Sequence, residues 1–192
     1  MSTLTMPRNR IRWPDSLVPI ITRLNTTWHE KALWVYTAIV LAHWLEHLVQ
    51  GYQVYVLGWP RPASLGALGL IFPVLVKTEA LHFGYAVFML GGLIILRPGF
   101  QGRSRLWWDI SLAIQGWHFI EHAVLQGQAI AGAYLFNAAQ PISIVQVWVP
   151  RVELHLLYNA LVFVPMVIAM VYHKHPPAKD REKFEPVCTC SL

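Results

Sequence analysis

The chain has 192 residues, of which 55% are hydrophobic and 13% charged, with a formal net charge of +5. An ordinary soluble domain carries about 25% charge, so this composition excludes a typical water-soluble globule. The apolar residues fall in four blocks, near 31–57, 70–96, 107–134 and 144–172, each longer than the roughly 20 residues that cross a bilayer core.

Residues 1–30 are polar and basic and contain no apolar core of the secretory-signal type. The first block is therefore expected to remain as a transmembrane helix. Trp28, Trp34, Trp59, Trp107, Trp108 and Trp148 fall near block ends, where an interfacial aromatic belt places them. Inside block one, KALWVYTAIVLA is followed by HWLEH at 43–47. His43, Glu46 and His47 share one helix face at i, i+3 and i+4. The following loop, 58–69, carries Arg61 alone. Block two contains EALHFGY at 79–85, with Glu79 and His82 one turn apart and Lys77 just before them. The next loop carries Arg97, Arg103 and Arg105, and block three contains HFIEH at 118–122. The loop 135–143 is uncharged. Block four opens with Pro150 and Arg151 and then ELHLLY at 153–158. Glu153 and His155 diverge by about 200° on a straight helix, so Glu153 is the least secure member of any shared site. The tail, 174–192, carries Lys174, Lys179, Arg181 and Lys183 and ends near Cys188 and Cys190. A reducing cytoplasmic side argues against a structural disulfide there. The two thiols read as incidental members of a polar tail or as a soft-metal pair.

The chain repeats itself. H-x-x-E-H occurs at 43–47 and at 118–122, and H-x-x-Y occurs as His82/Tyr85 and His155/Tyr158. Lys77 and Arg151 precede the second motif of each half, and Gly58 and Gly132 follow the first. Two helical hairpins, 31–97 and 106–173, are therefore expected to be copies. The implied fold is an all-α integral membrane protein, a four-helix bundle over 31–173 whose halves enter the membrane from the same side, as parallel repeats do. Arg8, Arg10, Arg12, Arg23 and Lys31, the loop after block two, and the tail all lie on one side. By the positive-inside rule both termini are expected in the cytoplasm, with the helices in the plasma (inner) membrane. Topology and lipid contact use the positive charge, which leaves no basic face for nucleic acid.

Six histidines (His43, His47, His82, His118, His122, His155) and four glutamates (Glu46, Glu79, Glu121, Glu153) are expected near the bilayer midplane. A charge at a helix centre costs about 2.5–3.5 kcal/mol even on the forgiving insertion scale, so these groups must face one another inside the bundle. Transition metals satisfy such a set best. Imidazole suits Fe, Zn, Cu and Ni, and soluble di-iron bundles use E-x-x-H pairs like Glu79/His82. Ten groups exceed the four ligands of a single zinc ion. They fit two ions, or one ion whose histidines are held by glutamates. Iron is the first expectation, with zinc, manganese or copper behind it and haem b as the alternative cofactor. Glu46 and Glu121 are the candidate catalytic groups, acting as ligand or proton acceptor. The expected function is a membrane non-haem oxidoreductase or oxygenase acting on an apolar substrate, with a redox partner and a homo-oligomer as further partners. A haem electron-transfer subunit, a zinc-dependent membrane hydrolase, and a proton or metal-ion transporter or accessory subunit are the alternatives. The motif departs from the H-x-x-H-H boxes of integral-membrane desaturases and hydroxylases, so no residue roles are carried over from them. Lys77 and Arg151 either pair with Glu79 and Glu153 or anchor an anion near the outer mouth. Tyr85, Tyr158, Trp44 and Trp117 read as packing groups, and Gln50, Gln53, Gln126, Gln128 and Asn159 either pack or support the site. His29, His173 and His175 read as interfacial or solvated.

Overall fold

In the computed structural model the described residues are 13–183 and 188. Arg8, Arg10, Arg12 and Cys190 lie outside them. All regular structure among the described residues is helical. A short helix, α1 (Val18–Asn25), carries Pro19 in its first turn, where a missing N–H costs no hydrogen bond. The long helix α2 (His29–Tyr55) follows. Two short helices, α3 (Gly66–Ile71) and α4 (Val74–Lys77), precede α5 (Glu79–Leu96). The longest helix is α6 (Gly102–Ala131), followed by α7 (Arg151–Lys174) and a final turn, α8 (Ala178–Arg181).

Three segments are long and apolar enough to cross a membrane: His29–Tyr55, Glu79–Gly99 and Arg151–Lys174. The longest helix, α6, carries more polar residues, among them Arg103, Arg105, Asp109, Gln115 and Glu121. The second apolar block is broken into α3, α4 and α5, and the fourth becomes a helix only from Arg151. Thr78 is extended, with φ −99° and ψ 124°, and separates α4 from α5. Pro150 immediately precedes α7, and its ring excludes it from a helix interior. Glu79, His82, Glu153 and His155 consequently sit near helix starts rather than helix centres. Gly132 ends α6 at φ +63°, a left-handed exit that glycine takes without a Cβ penalty.

The chain forms two compact units whose boundaries fall inside the long helices. The first comprises Met1–Ile39, Gly91–Ala113 and Val162–Leu192. Its centre is apolar: Trp108 and Phe100 are buried and stacked at 4.1 Å, and Trp108 donates its indole N–H to the Leu93 carbonyl at 2.8 Å. Asn25 pins the same unit, donating to the Ile95 carbonyl and accepting from the Gly99 N–H, both at 2.8 Å. Arg97 grips Asp109 with two bonds of 2.6 and 2.7 Å. Cys188 is disulfide-bonded, with its Sγ 3.0 Å from His173 Nε2, so it is not the free tail thiol expected from a reducing compartment. His173 also packs edge-on against buried His29 at 5.0 Å, so neither is a solvated end residue.

The second unit comprises Val40–Leu90 and Ile114–Leu161. It is turned inside out relative to a soluble domain. Leu45, Leu48, Val87, Ile120, Leu157 and Leu161 are exposed, whereas His47, Gln50, Gln53, Glu121, His122 and His155 are buried. Apolar surface outside and polar groups inside is the arrangement that lipid imposes.

Candidate metal centre

Six imidazoles converge in the second unit. His43 and His47 stand one turn apart on α2 with their Nε2 atoms 3.0 Å apart. His118 and His122 repeat this on α6 with an Nε2 to Nε2 separation of 3.2 Å. His82, from the first turn of α5, and His155, from near the start of α7, complete the cluster. His155 is its hub. Its ring centroid lies 5.0 Å from that of His47, 6.0 Å from His82, 5.4 Å from His118 and 5.2 Å from His122. One ligand atom from each of His118, His122 and His155 falls within 4.8 Å of the other two, and these three could hold a metal ion.

Backbone and amide partners set the direction of several rings. His155 Nδ1 lies 2.8 Å from the Arg151 carbonyl, and His82 Nδ1 lies 3.2 Å from the Thr78 carbonyl. His47 Nδ1 lies 2.7 Å from Gln50 Oε1. A carbonyl oxygen only accepts, so each Nδ1 carries the hydrogen and each neutral Nε2 presents its lone pair. This is the arrangement that orients metal-binding histidines. The lone pair of His155 is buried and has no hydrogen-bond partner. His118 and His122 lack such an anchor; their Nδ1 atoms are buried without a hydrogen-bond partner.

Each of the four glutamates has a protein partner, but the buried Oε2 atoms of Glu121 and Glu153 have no hydrogen-bond partner. Glu46 accepts the backbone N–H groups of Ala67 and Gly69 at 3.1 and 2.9 Å. Glu121, buried, accepts the N–H of Val145 at 2.7 Å. Glu46 thus ties α2 to the short helix α3, and Glu121 ties α6 to the segment before α7. Glu79 forms a two-pronged pair with Arg151, at 2.5 and 2.6 Å. Glu153 pairs with Arg61 Nε at 3.0 Å and also accepts the Tyr55 hydroxyl. The ion pairs are therefore not Lys77 with Glu79 and Arg151 with Glu153. Arg151 and Glu153 are two residues apart on one helix and face different ways, so each finds its partner across the unit. Lys77 makes no ion pair among the described residues. Glu153 first, then Tyr55, hold the Arg61 guanidinium above its usual range.

Two glutamines secure the irregular segments. Gln53 donates to the Gly66 carbonyl at 3.2 Å and accepts the Gly66 N–H at 2.9 Å. Gln128 donates to the Ile142 carbonyl at 2.8 Å and accepts the N–H groups of Leu135 and Ile142 at 2.8 and 3.4 Å. Such pairing is what allows non-helical backbone beside a membrane core. Tyr85 stacks on His43 at 3.7 Å, and Tyr158 lies on His118 at 4.5 Å while accepting the Trp117 N–H at 2.8 Å. The roles of Tyr55 and Arg61 escape a motif search, because one is an aromatic at a helix end and the other a lone loop charge. The uncommon sign of Arg61's loop was the only signal available.

Neither a known family, a curated protein nor a solved structure matches the chain. The functional reading therefore rests on this site alone.

Proposed function

We propose that the chain is a membrane-embedded metalloprotein with a dinuclear, imidazole-bound centre that performs non-haem redox chemistry. The observation that carries this reading is the pair of Nε2 to Nε2 separations, 3.0 Å in His43/His47 and 3.2 Å in His118/His122. Two nitrogen ligands at ~2.0–2.1 Å from one ion stand about 2.9 Å apart at a right angle and about 3.3 Å apart at the tetrahedral angle. Each pair fits one ion, and His155 is placed to add a third ligand to the His118/His122 pair. A shell dominated by imidazole, with the buried Oε2 of Glu121 as an available carboxylate oxygen, suits copper and zinc as well as iron. Tyr85, stacked on His43, and Tyr158, tilted against His118, favour redox over hydrolytic chemistry, because each puts an oxidisable ring in contact with a candidate ligand.

The duplicated hairpin supports four membrane spans, with α6 among them. Glu46 and Glu121, Gln53 and Gln128, and the two histidine pairs make corresponding contacts in the two halves. The late starts of α5 and α7 favour a centre nearer the loop end of the spans than the midplane. Both termini then lie with the basic segments in the cytoplasm, and the plasma (inner) membrane is the host.

Elemental analysis of detergent-purified protein, with a visible spectrum of the same sample, tests the reading. One or two transition-metal ions per chain are expected, and most of that metal is lost from His155→Ala. Protein free of metal with undiminished thermal stability would sink it. A spectrum with haem bands would replace it by the electron-transfer alternative, and a colourless zinc protein by the hydrolytic one.

A further inference from the structure

The second unit carries a half-open cavity of about 980 Å³, at the upper end of the range for small-molecule sites, about 300–1,000 Å³. His47, His82 and His155 line it, so the cavity reaches the imidazole cluster. Its lining also carries Arg61, Lys77 and Arg151 against a single carboxylate, Glu79. Glu79 neutralises Arg151, and Glu153 neutralises Arg61. Lys77, which makes no ion pair among the described residues, leaves one positive charge facing the space. Such a collar repels an entering metal cation and attracts an anion.

We propose that this cavity binds a small organic monoanion, a carboxylate with an apolar body, held at Lys77 and directed toward His155. Several observations converge on that class. One uncommitted ammonium matches a single negative charge, whereas both guanidinium forks, which suit phosphate best, are already occupied by carboxylates. Leu65, Val76, Ile142 and Val152 supply apolar wall. His155 lines the cavity, and its buried Nε2 has no hydrogen-bond partner. A wholly apolar substrate would leave the ammonium unused. The inference rests on the metalloprotein reading for what the anion meets beside His155, and on Lys77 alone for the charge preference.

Isothermal titration of the full chain in nanodiscs of zwitterionic lipid, with benzoate, benzyl alcohol and inorganic phosphate as probes, decides the matter. Benzoate is expected to bind, and Lys77→Gln to weaken it about tenfold, the loss of one charge-assisted contact. Lys77→Arg is expected to keep benzoate affinity, and both variants to keep the wild-type metal content. The titration is repeated after chelator treatment. Lys77-dependent binding that survives metal removal supports the inference even if elemental analysis defeats the metal reading. Benzyl alcohol binding as tightly as benzoate, phosphate outcompeting benzoate, or no binding by any probe overturns it.

Discussion

At the residue scale, the second unit is held by side chains that satisfy backbone a helix would otherwise satisfy itself. Gln128 serves Ile142 and Leu135 at once, while Gln53 serves Gly66 alone. Stranding a buried donor or acceptor costs about 1–3 kcal/mol, so Gln128→Ala should lower the melting temperature more than Gln53→Ala in detergent. Melts in the reverse order would refute that ranking. Gly66 is a tighter case. It holds φ +79°, and a Cβ there would lie 2.4 Å from Glu46 Oε1. Gly66→Ala must strain the turn and displace the carboxylate, at a cost of about 1–3 kcal/mol. An unchanged melting curve for that variant would mean that the Glu46 contact is dispensable.

At the element scale, where a helix starts decides what its charges can reach. Thr78 and Pro150 delay α5 and α7, so Glu79 and Arg151 fall in first turns and meet each other. The side chains are 11% and 30% exposed, and screening at that exposure leaves a coupling of about 1–2 kcal/mol. A double-mutant cycle of Glu79→Gln and Arg151→Gln, read by chemical denaturation, measures it; additive single losses would show the pair to be incidental. The same late starts bring His82 and His155 against the middle of the α2 and α6 histidine pairs. A residue inserted before Thr78 should therefore spare membrane insertion but reduce metal content, as elemental analysis would show.

At the scale of the whole molecule, polarity is inverted in the second unit but not in the first, whose centre is apolar. Exposed Leu45, Val87, Ile120 and Leu157 surround buried His47, Glu121, His122 and His155. In lipid, the apolar exterior gains no stability from self-association, so the buried polar contacts and ion pairs carry much of the specificity of packing. With the proposed topology, tags at either end of the chain should be accessible to protease only from the cytoplasmic face of inverted vesicles. A tag protected there at one end and cleaved at the other would require an odd number of spans and end the four-span proposal.

Several features were legible in the residues themselves. Block length and charge depletion pointed to helices able to cross a bilayer, which accepts few other solutions, and three segments are long and apolar enough to do so. Helical periodicity put His43 with His47 and His118 with His122, since i and i+4 share a face whatever the surroundings. Tertiary structure decided the rest. That His155 is the hub, that Glu79 seeks Arg151 and Glu153 seeks Arg61, and that Glu46 and Glu121 hold backbone amides all depend on contacts between residues far apart in the chain. Hydropathy reports how much apolar chain there is. It does not report where Thr78 and Pro150 break the helix, and those breaks set which ionisable groups meet.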